Sequence, residues 1–332
     1  MKNNNLINKS YFMAGLLSNS FFISEILFNL LYQNTSDTFI YYAFTTFILI
    51  LILSPLAYRY FNQRFTSNYH LISKITLIIY LLVTTLLTLL AVVDFVEVHW
   101  LSDTSVYVIV ISLMAIILYA TMIGTLDFYK ANNILLIIFG IIILGYFIFK
   151  SNYIYLSFYP YVFPKFYFNL NALFITFLIF FEAYTIFILP VVNQTNLSKK
   201  TFYTYILTLI LFIGLKAIIH YNEFQGILDI VLYPFFESYS MIYFGQYIGY
   251  LNFPILFYYI IGGFCKIGFN LKIMQTLITN YKTILIVILL LSGLAILLLI
   301  YNQLMTFFKI PMIMIALISL VLTLVIYKEK RS

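Results

Sequence analysis

The sequence predicts an all-α polytopic membrane protein with ten spanning helices. Three observations carry that prediction. Of the 332 residues 64% are hydrophobic and only 9% charged, where an ordinary soluble domain is about a quarter charged. Apolar stretches of about 20 residues, the length a helix needs to cross about 30 Å of hydrocarbon, recur along the whole chain. The basic residues between them gather in alternate loops, and so on one side of the membrane. This composition excludes a soluble enzyme, a disordered tail and a nucleic-acid binder. The net charge of +7 is too dispersed for a basic groove and is better explained by membrane orientation.

The predicted spans are Tyr11–Tyr32, Thr38–Tyr58, Leu71–Val93, Ser105–Leu126, Asn133–Lys150, Phe168–Val191, Thr201–His220, Asn252–Ile278, Thr283–Tyr301 and Pro311–Tyr327. No strand alternation survives across them, so helices rather than a barrel satisfy the backbone in lipid. The first stretch runs past Leu30 and is followed at once by more apolar segments, so it reads as a retained span and not a cleaved signal peptide. Residues 221–251 are apolar and aromatic but interrupted by Glu223, Asp229, Pro234 and Glu237. They read as a long outer connection with interfacial or re-entrant helical pieces.

Loop charges set the orientation. With a cytoplasmic N-terminus, the inner loops and span ends hold Lys2, Lys9, Arg59, Arg64, Lys74, Lys130, Lys199, Lys200, Lys272, Lys282, Lys328, Lys330 and Arg331. The outer ones hold only Lys150, Lys165 and Lys309. That is a positive-inside bias with both termini cytoplasmic. Asp37, Asp94, Glu97, Asp103, Glu223, Asp229 and Glu237 all fall outside. An eleventh span would reverse the later basic loops.

Ten spans divide into a first five-helix set (residues 1–152), an outer aromatic connecting loop (153–167) and a second five-helix set (168–332). An odd number of spans per set inverts the second relative to the first. Inverted repeats are a common transporter plan, with the substrate site near the midplane where the opening helix of each repeat is broken. The opening span of the first set carries Gly15, Ser18, Asn19, Ser20 and Glu25, and that of the second carries Glu182 between Phe181 and Tyr184. A charged residue at depth costs about 3 kcal/mol on insertion scales, so each acid is expected to face a cavity or a partner. The Ser18-Asn19-Ser20 run has two readings: small polar residues joining helices, or a local unwinding that aims amide N–H groups at an anion. Lys216 lies close enough to a helix end to snorkel. Lys266 lies near mid-span among Gly262, Gly263 and Gly268, where it is expected to pair with a Glu or to fill a coupling cation's place. No spacing of His or Cys suggests a metal site. No phosphate loop or serine elbow suggests an enzyme, and no cofactor is called for.

Four pieces together resemble the spore-germination permeases, the GerAB-type B subunits of nutrient germinant receptors, in the amino acid–polyamine–organocation transporter superfamily. They are Trp100-Leu101-Ser102-Asp103-Thr104 with Tyr119 and Gly124 following; Phe181-Glu182 followed by Leu189-Pro190 and Lys199-Lys200; Tyr233-Pro234-Phe235-Phe236-Glu237; and Lys266. The sixth span is poorer in glycine than the family's. The resemblance implies a LeuT-like fold and a receptor subunit in the inner membrane of a bacterial spore. Its ligand would be a small nutrient, an amino acid, and its partners a receptor A subunit and a lipoprotein C subunit. Gly15, Ser18, Asn19 and Ser20 would then hold a ligand carboxylate, Phe181 and Tyr184 shape the pocket, and Glu182 accept from an ammonium. Glu25 and Lys266 would supply charge balance or coupling, and Tyr233, Pro234 and Glu237 an outer-loop motif. A proton-coupled amino acid transporter is the alternative; a scaffold without a ligand fits the apolar bulk but not the acids and lysine at depth.

Overall fold

A computed structural model describes residues 2–35, 38–62, 71–153, 168–188, 199–224, 230–242 and 252–278, together with positions 227, 287, 290 and 293. Most of the predicted ninth span, the whole of the tenth, most of the 153–167 loop, Leu189-Pro190 and Asp229 lie outside the described residues. The helices are α1 (Lys2–Phe21), α2 (Phe28–Thr35), α3 (Phe39–Asn62), α4 (Leu71–His99), α5 (Val106–Met122), α6 (Thr125–Phe149), α7 (Leu170–Ile188), α8 (Lys199–Glu223), α9 (Pro234–Ser240) and α10 (Asn252–Leu277). The first eight predicted spans fall on them, and no strand occurs among the described residues. Among the described residues six helical stretches are long and apolar enough to cross a membrane: Tyr11–Thr35, Phe39–Tyr58, Leu77–His99, Asp127–Phe149, Lys199–Glu223 and Pro254–Gln275. Val106–Met122 and Leu170–Ile186 are apolar but shorter. The chain is a multi-pass membrane protein.

Between α1 and α2 the helix does not break. Residues Phe22–Leu27 continue as a π-helix, all six of them buried. A π-turn inserts extra backbone into a helix and recurs at functional sites. The unwinding considered at Ser18–Ser20 is therefore absent, and the irregularity sits one turn later. The serines stay folded into their own helix: the hydroxyls of Ser18 and Ser20 donate to the carbonyls of Gly15 (3.1 Å) and Leu17 (3.0 Å). Small polar side chains in apolar surroundings commonly find such local carbonyl partners. On the other opening helix, α7 runs without interruption through Glu182.

α10 is the central column. It packs on α4, α1, α6 and α5, while α3 packs on α7 and α8. Glycines allow the close approaches. A Cβ at Gly262 would lie 2.1 Å from the Phe21 ring, at Gly263 2.3 Å from Val92, and at Gly15 1.9 Å from Ile186. Away from this column, α6 presents Ile134, Ile137, Ile141, Leu144 and Ile148 outward. Their three-to-four-residue spacing makes an apolar stripe suited to lipid.

At one end of the column, buried Lys272 donates to the carbonyl of Thr121 (2.8 Å) and to that of Ile123. It thereby satisfies orphan carbonyls at the α5 terminus. At the other end lies α9, opened by Pro234 at its first position, where a missing N–H costs nothing. This short helix is the helical piece expected within residues 221–251.

Candidate ligand-binding site

Among the described residues, two lysine–glutamate pairs lie between the spanning helices, and a third buried pair, Lys150–Glu223, lies at the ends of α6 and α8. The first, here the central pair, joins Glu182 of α7 to Lys266 of α10, both almost fully buried. Lys266 Nζ donates to Glu182 Oε1 and to Asn19 Oδ1 at 3.2 Å. Tyr80 of α4 donates its hydroxyl proton to Glu182 Oε2. Asn19 Nδ2 donates to the Glu182 carbonyl (3.0 Å) and to the Tyr205 hydroxyl of α8 (3.0 Å). Thr185 Oγ1 also donates to the Glu182 carbonyl, at 2.8 Å. Five helices thus converge on one charge-balanced polar centre. Beside it, Lys266 Nζ lies 4.8 Å from the centroid of the Phe22 ring, near enough for cation–π attraction.

The second pair lies toward α9. Glu25, placed by the π-turn, accepts from Ser24 Oγ (2.6 Å) and Tyr258 OH (2.6 Å) at Oε1, and from Tyr259 OH (2.9 Å) at Oε2. Lys216 of α8 donates to the same Oε1 and to Tyr258 OH at 3.2 Å. Its ammonium sits 3.7 Å from the centroid of the Phe235 ring on α9 and 5.1 Å from that of Tyr258. Lys216 is 2% exposed, so the snorkelling expected of it does not occur; a carboxylate and aromatic faces hold it inside. Phe21 and Phe22 stand between the two pairs, with Phe21 5.8 Å from the rings of both Tyr258 and Tyr259.

α9 is tied down by side chains around it. Ser238 donates to Glu223 Oε2 and meets Tyr146 OH at 2.9 Å. Lys150 pairs with Glu223 Oε1 at 2.5 Å. Tyr233, just before α9, donates to Asp94 Oδ2, and Asn29 Nδ2 donates to the Leu232 carbonyl at 3.2 Å. Burial first, then the charge of Asp94, pushes the Tyr233 hydroxyl well above the usual phenol range. It therefore remains a proton donor at ordinary pH.

The sequence-predicted residues divide. Asn19, Glu182 and Lys266 meet directly, and Phe181 lies against Tyr80 with ring centroids 4.9 Å apart. Tyr184 points elsewhere, donating to the Ile50 carbonyl of α3 at 2.7 Å. Gly15 serves α1–α7 packing, and Ser18 and Ser20 are bonded to α1. Glu25 belongs to the second pair. Tyr233 and Pro234 anchor and start α9, and Glu237 accepts at its backbone carbonyl from Ser240 Oγ at 2.8 Å. Sequence reasoning missed Tyr80, Tyr205, Tyr258 and Tyr259. For Tyr80 the available signal was depth, since a tyrosine mid-span, as in Ile79-Tyr80-Leu81, is not at headgroup level; Tyr205, five residues into its predicted span, carried no such signal. Among the described residues no group of three or more His, Cys, Asp or Glu is placed to hold a metal ion.

No family model matches the chain, and no curated protein matches it in sequence. In fold it is similar to crystal structures of three variants of the manganese transporter of Eremococcus coleocola. Each is 10% identical, and the likeness covers 96% of this chain and 76% of the transporter, with TM-scores of 0.46, 0.48 and 0.47.

Proposed function

We propose that this chain is a membrane receptor subunit that binds a small zwitterionic nutrient, an amino acid, at the central pair. The observation that carries the reading is the Glu182–Lys266 pair held by Asn19, Tyr80 and Tyr205. Isolated charges at this depth are costly, so whatever enters must leave neither uncompensated. A zwitterion meets that condition by exchange, its ammonium replacing Lys266 at Glu182 and its carboxylate replacing Glu182 at Lys266. With α1 helical through Ser18–Ser20, backbone amides are not released there. Lys266 takes the carboxylate-binding role that the sequence reading gave to Gly15, Ser18, Asn19 and Ser20. A lysine ammonium beside Glu182 also disfavours a divalent cation, which seeks oxygen ligands without an adjacent positive charge; manganese is the substrate of the similar transporter, not the one proposed here.

The spore setting and the receptor A and C subunits rest on the sequence resemblance. Binding would bias an equilibrium between conformations that those partners read. The test is uptake and binding of a labelled amino-acid mixture by proteoliposomes of the purified chain, with and without an inward proton gradient, beside Glu182→Gln. Saturable binding without accumulation, lost in the variant, is expected. Gradient-driven accumulation lost in the variant would make the chain a proton-coupled transporter instead. No binding at all would place the ligand elsewhere.

A further inference from the structure

The Glu25 pocket is built differently from a simple ion pair. Its carboxylate accepts from three hydroxyls, of Ser24, Tyr258 and Tyr259, besides the Lys216 ammonium, which also donates to Tyr258 OH. The Lys216 ammonium on that carboxylate is walled by aromatic faces, with the ring centroids of Phe235 at 3.7 Å, Tyr258 at 5.1 Å and Phe212 at 5.9 Å from its nitrogen. A fixed carboxylate under aromatic faces is the chemistry that selects an organic ammonium over a hydrated metal cation. The nearest wall, Phe235, belongs to α9, a helix of seven residues held by hydroxyl contacts of Ser238 and Tyr233.

From this arrangement we infer that the Glu25 pocket is a second ligand site, one for a primary organic ammonium with a short apolar tail, and that Lys216 is its resident occupant. An incoming ammonium takes the place of the lysine nitrogen between Glu25 and Phe235, and the freed Lys216 ammonium turns toward the near end of α8, the snorkelling its position allows, so that neither charge is left uncompensated. Because Phe235 rides on α9, that exchange shifts α9 against its neighbours. His99 carries the shift onward: its ring packs 4.0 Å from that of Phe236 on α9. Trp100, the next residue and the only tryptophan in the chain, is a native reporter at that spot. The inference does not depend on the nutrient reading of the central pair.

The test uses the purified full chain in lipid nanodiscs, with ethylammonium chloride as probe and sodium chloride at equal ionic strength as control. In Lys216→Ala the pocket is vacated, and ethylammonium is expected to raise the melting temperature saturably and to change Trp100 emission. Adding Glu25→Gln should abolish both responses. Adding Phe235→Leu should weaken the apparent affinity about tenfold, the loss of one cation–π wall. In the wild type the same Trp100 change is expected at higher probe concentration, because the tethered lysine competes. Absence of a saturable response in Lys216→Ala overturns the site, as does a response that survives Glu25→Gln. An equal response to L-alanine overturns the ligand class, since its carboxylate would face Glu25 without a counter-ion. Should Lys216→Ala fail to purify, expression with ethylammonium in the medium decides the matter: recovered folded protein supports the site, and none overturns it.

Discussion

The Glu182–Lys266 and Glu25–Lys216 pairs use the same two residue types and solve the same problem differently. Glu182 depends on Lys266, with one tyrosine hydroxyl, from Tyr80, as its other side-chain donor in the network described above. Glu25 has three hydroxyl donors besides its lysine. Asn19 links the central pair across α1, α7, α8 and α10, whereas the Glu25 pair is walled by aromatic rings and covered by α9. The comparison teaches that the central lysine is a structural counter-ion as well as a binding group. The other lysine shares its carboxylate with three hydroxyls.

Removing Lys266 should therefore do the most damage. Lys266→Met leaves Glu182 buried and short of its main partner, a change worth about 3–5 kcal/mol. The variant is expected to melt far below wild type or to aggregate on extraction. Adding Glu182→Gln should restore most of the loss, because a neutral amide needs no counter-ion. A double variant no better than the single would break the comparison at its first step.

Lys216→Met should cost less, about 2 kcal/mol, since hydrogen bonds to a charged group contribute about 1.5–3 kcal/mol each and three remain on Glu25. Combining it with Tyr259→Phe should bring the loss up toward that of Lys266→Met. Thermal melts of the two lysine variants side by side check the ranking, and a reversed order would mean that the hydroxyls do not hold the Glu25 carboxylate.

The spacer between the pairs is the next point of attack. A methyl group at Gly262 meets the Phe21 ring, and overpacking of this kind costs about 1–3 kcal/mol. Gly145→Ala on α6 is the control, for nothing lies within 4 Å of a Cβ there. Equal melting temperatures for the two variants would show that Phe21 swings freely and does not partition the pairs.

Much of this was legible in the sequence, and the reasons are physical. Hydrocarbon imposes length and apolarity on each span, so eight helices could be placed from composition. Acids and a lysine at depth announced themselves because their cost demands a partner, and Glu182 with Lys266 meets that expectation. What the residues did not reveal was the geometry that pairs Lys216 with Glu25. Lys216 stands near a helix end, where snorkelling is the default, and only the π-turn at Phe22–Leu27 and the return of α9 enclose it. Ser18 and Ser20 misled for a related reason: a serine in a spanning helix has the same sequence signature whether it bonds to its own backbone or lines a cavity. Tyr80 and Tyr205 were hidden among 31 tyrosines, most of which fit a headgroup role equally well.

The smallest effect expected is just before α9, and it separates the two pairs most cleanly. Tyr233→Phe removes the hydroxyl that reaches Asp94 and leaves the ring edge-on to Phe95, whose centroid lies 5.2 Å away. One hydrogen bond of this kind contributes about 1 kcal/mol. Because the folded protein raises the affinity of Tyr233 for its proton, the bond's contribution is complete below the ordinary phenol pKa of about 10. It is lost only as pH rises above that value toward the folded one. The melting-temperature difference between wild type and Tyr233→Phe should therefore stay constant from about pH 7 to about pH 10 and shrink beyond. Loosening α9 should also make the Glu25 pocket more accessible to ethylammonium while leaving ligand binding at the central pair unchanged. A Tyr233→Phe variant that altered both sites equally would show the two pairs to be one coupled unit and not two.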